Sequence, residues 1–358
     1  MSCCIEIRGR RVGPGYPVYI VADLSANHSQ NYNQAVKLLK AAKIAGADAV
    51  KLQTYTPDTL TIPSDKDCFR INAGTPWDGR TLYELYQEAS MPWEWQPKLK
   101  AIASGLNIDL FSTAFDASAL AFLEKMDVPV HKVASFEIVD IPLIESMART
   151  SKPLIISTGM ATLAEIKDAV QAARKGGAKQ IALLKCTSAY PAPLEDMNLR
   201  TISHLAETFD VPVGLSDHTL DPDVPIAAVA LGACIVEKHL TLSRGIRGPD
   251  SAFSLEPSEF KTMVKALRTV EITIGKVSYG KSASEAGSRI FRRSLFAVKN
   301  IKAGEVFTED NIRSIRPACG LPTKYLNDLL GRRATKNIAR GTPLNWELIS
   351  AKDSSQVK

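Results

Sequence analysis

Short apolar runs rich in β-branched residues recur along the first two-thirds of the chain, at 18–22, 49–52, 108–112, 130–134, 154–157, 181–185, 211–215 and 234–237. Each is followed by an Ala-rich or amphipathic stretch of helical length. Continuous apolar strands alternating with helices predict a parallel sheet covered by helices, because every parallel crossover needs a connection of that length. Eight such units predict an α/β fold of the (β/α)8 TIM-barrel type, and the Gly-x-Gly-x-x-Gly turn of a doubly wound sheet is absent. Thr162-Leu163-Ala164-Glu165 has capping-box spacing, and Gly46 and Gly176-Gly177 stand where helix C-caps belong. The interval 54–95 is longer than the others and carries Trp77, Tyr83, Tyr86, Trp93 and Trp95. It predicts an elaborated loop with one helix over the barrel mouth.

Beyond the eighth unit, Phe260, Met263, Val264, Leu267 and Val270 repeat at helical spacing, and Tyr279-Gly280-Lys281-Ser282-Ala283-Ser284 then breaks the pattern. A duplication follows. Ala297-Val298-Lys299-Asn300-Ile301-Lys302-Ala303-Gly304 aligns with Ala334-Thr335-Lys336-Asn337-Ile338-Ala339-Arg340-Gly341 at an offset of 37 residues, and Ile312 and Ile349 close the two copies. Two copies are too few for a solenoid and predict a small pseudo-symmetric domain of short strands. The expected organisation is a barrel over 1–275, a linker over 276–288 and the small domain over 289–358.

Composition narrows the class. With 45% hydrophobic and 23% charged residues among 358, and neither Gly nor Pro in excess, the chain is globular rather than disordered or fibrous. Lys and Arg exceed Asp and Glu by 44 to 38, and the excess is spread along the chain, which disfavours a nucleic-acid surface and favours an anionic small substrate. No apolar run approaches the roughly 18–20 residues of a membrane span, and the charged first residues do not resemble a secretory signal. The six cysteines, Cys3, Cys4, Cys68, Cys186, Cys234 and Cys319, form no Cys-x-x-Cys pair and read as reduced thiols, so the expected location is cytoplasmic.

In a parallel barrel, chemistry gathers at the carboxyl ends of the strands. Those ends carry Asp23, Lys51 with Gln53, Thr113, Lys132 with Ser135 and Glu137, Ser157 with Thr158, Lys185 with Thr187, Ser216 with Asp217 and His218, and Glu237 with His239. His218 and His239 end consecutive strands, about 4.8 Å apart, so two imidazoles can share one divalent ion with positions left open; two satisfied histidines at a strand exit are the alternative. His131 precedes Lys132 and faces the opposite side of its strand, against a helix, and His204 lies on a predicted helix. Lys51 and Lys132 with Ser135, Ser157, Ser216 and Thr113 form a cradle for phosphate and carboxylate. Lys185 or Lys132 could instead serve as a Schiff-base nucleophile. Asp23, Glu137, Asp217 and Glu237 are the candidate catalytic carboxylates, with salt bridges to the lysines as the other use of Asp23 and Glu137.

On Asn27-His28, Lys51-Leu52-Gln53-Thr54, Lys132-Val133-Ala134-Ser135-Phe136-Glu137, Ser157-Thr158-Gly159-Met160, Cys186-Thr187, Tyr190-Pro191, Gly214-Leu215-Ser216-Asp217-His218-Thr219, Glu237-Lys238-His239 and Gly248-Pro249-Asp250, the sequence resembles the sialic acid synthase family. These are phosphoenolpyruvate-condensing enzymes that make nonulosonic acids. The tail with Arg316-Pro317 is similar to the family's C-terminal antifreeze-like domain, also called the SAF or β-clip domain. Leu24-Ser25-Ala26-Asn27-His28, Gln53-Thr54-Tyr55-Thr56-Pro57-Asp58, Trp77-Asp78-Gly79, Pro92-Trp93-Glu94-Trp95, Lys185 and Ser188 resemble the pseudaminate-forming branch.

The resemblance implies a transferase that joins phosphoenolpyruvate to an acetamido deoxy-hexose, 2,4-diacetamido-2,4,6-trideoxy-L-altrose, releasing phosphate by C–O cleavage. N-acetylneuraminate or legionaminate synthesis is the nearest alternative, and a Schiff-base aldolase is the alternative from another class. The resemblance further implies His218 and His239 as ligands of Mn²⁺, with Mg²⁺ or Co²⁺ as substitutes. It gives Lys51, Thr113, Lys132, Ser135, Ser157 and Ser216 to phosphoenolpyruvate. Gln53, Tyr190, Asp250 and, across a domain-swapped homodimer, Arg316 fall to the sugar. Neither a nucleic-acid nor a membrane partner is expected.

Overall fold

The computed structural model of the chain describes residues 4–280 and 282–351; Cys3 and Lys281 lie outside them. It begins with a hairpin of β1 (Ile5–Ile7) and β2 (Arg10–Val12), whose Ile5, Ile7 and Val12 join the main core. Arg8 and Arg10 of this hairpin pair with Asp109 and Asp48.

All eight apolar runs form strands: β3 (Tyr19–Asp23), β4 (Ala49–Thr54), β5 (Asp109–Ala114), β6 (His131–Val133), β7 (Leu154–Ser157), β8 (Ile181–Cys186), β9 (Val213–Asp217) and β10 (Ile235–His239). Every neighbouring pair is parallel, and β10 closes on β3 to complete a barrel. Several strands run farther toward the mouth than their apolar residues do, because Asp23, Asp217 and His239 take part in the ladder. A closed barrel pairs both edges of each strand, so polar residues enter the ladder when their side chains have partners at the mouth.

The helices are α1 (Tyr32–Ala45), α2 (Pro57–Leu60), α3 (Leu82–Ala89), α4 (Gln96–Gly105), α5 (Ala117–Lys125), α6 (Ile141–Ala148), α7 (Leu163–Lys175), α8 (Thr201–Phe209), α9 (Asp223–Ala230) and α10 (Pro257–Ile274). Thr162 and Glu165 cap α7 reciprocally, the Glu165 N–H donating to Thr162 Oγ1 at 3.3 Å and the Thr162 N–H to Glu165 Oε2 at 2.7 Å. Gly46 closes α1 at φ 93°, where a side chain would be strained. Helix α10 buries Phe260, Met263, Val264 and Leu267 on one stripe, worth about 1.5–3 kcal/mol for each side chain removed from water. The interval 54–95 holds two α-helices rather than the single one expected, with short 3-10 turns at Asp67–Phe69 and Trp93–Trp95. Helix α2 is one turn, started by Thr56 and Pro57, a pair too short to register as a periodic signal.

The chain divides into two compact units, Met1–Gly275 and Lys276–Lys358. In the second, β11 (Ser294–Ala297) pairs antiparallel with β12 (Ile312–Ile315), and a one-turn helix α11 (Leu326–Leu329) follows. The duplicated segments bond to each other about a local two-fold. Ile301 and Ile338 exchange both backbone hydrogen bonds at 2.8 Å, and the Gly304 and Gly341 N–H groups donate to Ala334 and Ala297 carbonyls, again at 2.8 Å. The Asn337 and Asn300 side chains accept equivalently from Ala303 and Arg340. Ile312 and Ile349 are buried in one core with Leu295, Phe307 and Leu344.

Candidate active site

Strand register brings the polar strand ends together. Asp23 lies beside both Lys51 and His239, Gln53 beside Thr113, Thr113 beside Lys132, and Ser216 beside Glu237. Because alternate residues face opposite sides of a strand, Glu237 and His239 share one face while Lys238 takes the other. The side chains converge on a cavity of about 370 Å³ at the mouth, lined by Asp23, Lys51, Gln53, Thr113, Lys132, Ser135, Glu137, Ser157, Tyr190, Ser216, His218, Glu237, His239 and Asp250.

At its floor the Lys51 ammonium lies 2.9 Å from Asp23 Oδ2 and 2.8 Å from Glu237 Oε1, and all three groups are buried. One ammonium serves two carboxylates unequally. Burial raises Asp23 above the usual carboxylate range despite Lys51. Burial also works against ionised Glu237, but Lys132 and Lys51 outweigh it and hold that carboxyl at about 2. Ser216 Oγ donates to Glu237 Oε1 at 3.2 Å. Lys132 donates to Ser157 Oγ at 2.6 Å and to the Val133 carbonyl at 2.9 Å, and burial brings it down to about 8. Ser188 Oγ donates to Ser135 Oγ at 2.9 Å. Gly159 sits behind Ser135 at φ 49°, and a Cβ there would come within 2.5 Å of the Ser135 Cβ, so the Ser157-Thr158-Gly159 turn admits no side chain at that point. Burial pushes Glu137 up to about 7.

The imidazoles of His218 and His239 stand with ring centroids 5.3 Å apart. The His218 Nδ1–H donates to the Thr187 carbonyl at 2.8 Å, so Nε2 is the nitrogen that would meet an ion. Burial, together with His218, keeps His239 neutral with a pKa of about 3. Among the described residues, no group of three or more His, Cys, Asp or Glu forms a ready metal cage. The pair is therefore a two-nitrogen donor set that would leave most positions on an ion to water and substrate oxygens, which suits catalysis rather than a structural site. Four buried polar atoms of the lining, Thr113 Oγ1, Glu137 Oε2, Glu237 Oε2 and His239 Nδ1, have no hydrogen-bond partner. Buried polar atoms of this kind are rare without a ligand or water to satisfy them, so a polar ligand belongs here.

Two family models match the chain, one described as the NeuB family over residues 38–279 and one as the SAF domain over residues 292–350. The chain belongs to the NeuB family. Among curated NeuB-like relatives, a pseudaminic acid synthase of Helicobacter pylori is 46% identical over 92% of this chain and 97% of its own length. A pseudaminic acid synthase of Campylobacter jejuni is 45% identical over 91% of this chain and 95% of its own. The crystal structure of an N-acetylneuraminic acid (sialic acid) synthetase from Leptospira borgpetersenii superposes with a TM-score of 0.72 at 31% identity, covering 80% of this chain and 95% of that one. The closed parallel barrel and the SAF domain are thus the family's architecture in this chain.

Within this NeuB barrel, several strand-end residues singled out from sequence do not line the cavity, Asp217 and Lys185 among them. Asp217 lies on the opposite face of β9, where its carboxylate accepts from Lys238 Nζ at 2.5 Å and from the Thr219 N–H at 2.9 Å. It braces the exit of β9 and does not line the cavity. Lys185 likewise faces away from the cavity and donates to the Cys186 carbonyl at 2.7 Å and to Thr187 Oγ1 at 3.0 Å, which removes it as a Schiff-base nucleophile. Both misplacements have one origin, since a polar residue at a strand exit points in or out with the parity of the strand. His131 is packed outside the barrel against α5, its Nε2 2.9 Å from Glu124 Oε1. Arg316 belongs to the second unit.

The cavity also contains residues that strand-end reasoning missed. Ser25, at φ 43° just past β3, accepts from Gln53 Nε2 at 2.9 Å and hydrogen-bonds Asp250. Cys186 is in the wall rather than the core. Tyr55, Phe115, Leu60, Ile71 and Leu82 also line it. Ser25, Tyr55 and Cys186 had a signal, through their places in family motifs, and Phe115, Leu60, Ile71 and Leu82 had none.

Proposed function

We infer that this chain is a transferase that condenses phosphoenolpyruvate with 2,4-diacetamido-2,4,6-trideoxy-L-altrose to give pseudaminic acid and phosphate. The observation that carries the reading is identity of 45–46% with pseudaminic acid synthases across more than nine-tenths of the chain, on a barrel whose mouth holds cations, hydroxyls and paired imidazoles.

The reaction joins the enol carbon of phosphoenolpyruvate to the sugar aldehyde carbon. It adds water at the carbon left cationic, and breaks the C–O bond so that phosphate leaves with the bridging oxygen. Lys132, hydrogen-bonded to Ser157 and flanked by Ser135, places one positive charge for phosphate, and Lys51 with Thr113 and Ser216 places a second for carboxylate. Charge held in a buried site costs no reorganisation as the intermediate forms. Gln53, Ser25, Asp250 and Tyr190 offer hydrogen bonds to the sugar. Glu137, neutral below a pH of about 7, can give a proton to departing phosphate, while the carboxyl of Asp23, raised by burial, can hold a proton taken from water and ionised Glu237 stays a counter-charge to Lys51 and Lys132.

The donor set of His218 and His239 fits a divalent ion, with Mn²⁺ the first choice, and such an ion would polarise the aldehyde and acidify bound water. The reading extends to a domain-swapped homodimer with Arg316 as a sugar contact, and sedimentation of a monomer at micromolar concentration would remove both. It also extends to the cytoplasm, in keeping with free thiols at Cys4, Cys68, Cys186 and Cys319. Among the described residues, no helix is long and apolar enough to cross a membrane. Phosphoenolpyruvate labelled with ¹⁸O at the bridging position tests the chemistry: the label is expected in phosphate, and label retained in the sugar acid would refute C–O cleavage.

A further inference from the structure

The cavity has two unlike sides. The strand ends supply its charged and hydroxylic floor, whereas Leu60, Ile71, Leu82, Leu85, Tyr86 and Ala89, with Thr75 and Trp77, come from the insertion between β4 and α4, joined by Phe115 and Phe136 from the two strand exits that follow. Of these, Leu60, Ile71, Leu82 and Tyr86 are half-buried and take no part in the barrel's hydrophobic core. Their apolar surface is not spent on holding the fold together, and it faces the cavity instead.

This wall is preformed. Asp78 accepts from the backbone N–H groups of Ala73, Gly74 and Thr75 at 2.9–3.2 Å, which pins the loop that follows Ile71. Trp77 in that loop donates to the Pro249 carbonyl at 2.9 Å. Thr81 and Glu84 cap the start of α3, which carries Leu82 and Tyr86. Apart from the Tyr86 hydroxyl, Leu60, Ile71, Leu82 and Tyr86 offer no polar atom, and the polar atoms of the neighbouring Thr75 and Trp77 side chains are bonded to Asp78 and to the Pro249 carbonyl.

We propose that Leu60, Ile71, Leu82 and Tyr86 are the specificity-determining wall of the site and receive the deoxy carbon, C6, of the sugar. This rests on the function inferred above. A sugar with a hydroxyl at that carbon would bury it against hydrocarbon and lose its water without a replacement partner. Apolar pockets of this kind discriminate against an added hydroxyl by up to about 100-fold.

The test compares kcat/KM for 2,4-diacetamido-2,4,6-trideoxy-L-altrose with that for its 6-hydroxy counterpart, in the wild-type protein and in Leu82→Asn and Ile71→Thr. Wild-type protein should prefer the 6-deoxy sugar by about 10- to 100-fold, and each variant should cut that ratio at least fivefold. General damage to the fold lowers both rates together and leaves the ratio alone, so the ratio reports the wall. Ile71 lies in a surface loop, which keeps the test open should Leu82→Asn fold poorly. A wild-type ratio near one, or an unchanged ratio in a folded variant, would overturn the inference and leave the synthase reading standing. No turnover of either sugar by wild-type protein would overturn the synthase reading and the wall with it.

Discussion

Replacing Lys51 with Met removes the ammonium that Asp23 and Glu237 share. The two carboxylate oxygens, 2.9 and 2.8 Å from Nζ, are then left facing one another in a buried site. At a separation of about 5–6 Å and an effective dielectric constant of about 20, two unit charges repel by about 3 kcal/mol. Breaking a buried ion pair by deleting one partner costs about 3–5 kcal/mol overall. The barrel's melting transition should therefore fall by about 6–20 °C at pH 8.

The pH dependence separates this cause from loss of packing. In the wild type Glu237 is held at about 2, below its ordinary value, so its contribution is complete above pH 4.5 and is lost only as pH falls toward 2. Without Lys51, burial and the facing carboxylate raise Asp23 further while Glu237 keeps Lys132 alone, so the folded variant takes up protons more readily than the wild type and recovers part of its lost stability as pH falls. Calorimetry at pH 8 and pH 5 should show the gap between variant and wild type narrowing at pH 5. An equal gap at both values, or a fall of less than about 2 °C at pH 8, would show that Lys51 is not the counter-charge of a buried carboxylate pair.

Glu137→Gln should lower kcat by about 10²–10⁴. Glu137 is neutral below about pH 7 and donates there, so wild-type kcat should decline above that pH and the variant should lose this limb; a variant profile identical in shape to the wild type argues against the role. His218→Ala and His239→Ala should each abolish turnover while circular dichroism and melting stay near wild type, and near-normal rates in the metal-depleted double variant would end the metal reading. Lys185→Met should keep turnover within about tenfold, with no inactivation by borohydride plus substrate; a dead variant with intact fold would restore a Schiff-base route.

The barrel was legible because its signal is repetitive. Eight apolar runs, each followed by a helix, have few other solutions, and the polar residue ending each run named most of the cavity floor. Parity was the weak point, since Asp217 and Ser216 are adjacent in sequence and only the strand's facing decides which one meets the cavity. The apolar wall was less legible, as Leu60, Ile71 and Leu82 lie in an insertion without periodicity and stand out only once their exclusion from the core is visible. The duplicated tail was clear as a repeat, but the local two-fold in which Ile301 and Ile338 bond to each other follows from the folded backbone alone.

The most direct test of the account is phosphate release from phosphoenolpyruvate by the purified protein with Mn²⁺, run with 2,4-diacetamido-2,4,6-trideoxy-L-altrose, its legionaminate-precursor isomer and N-acetylmannosamine, each with and without chelator. The account predicts release with the altrose sugar alone, abolished by chelator and restored by added Mn²⁺. Release with N-acetylmannosamine but not with the altrose sugar, or release indifferent to chelator, would contradict it.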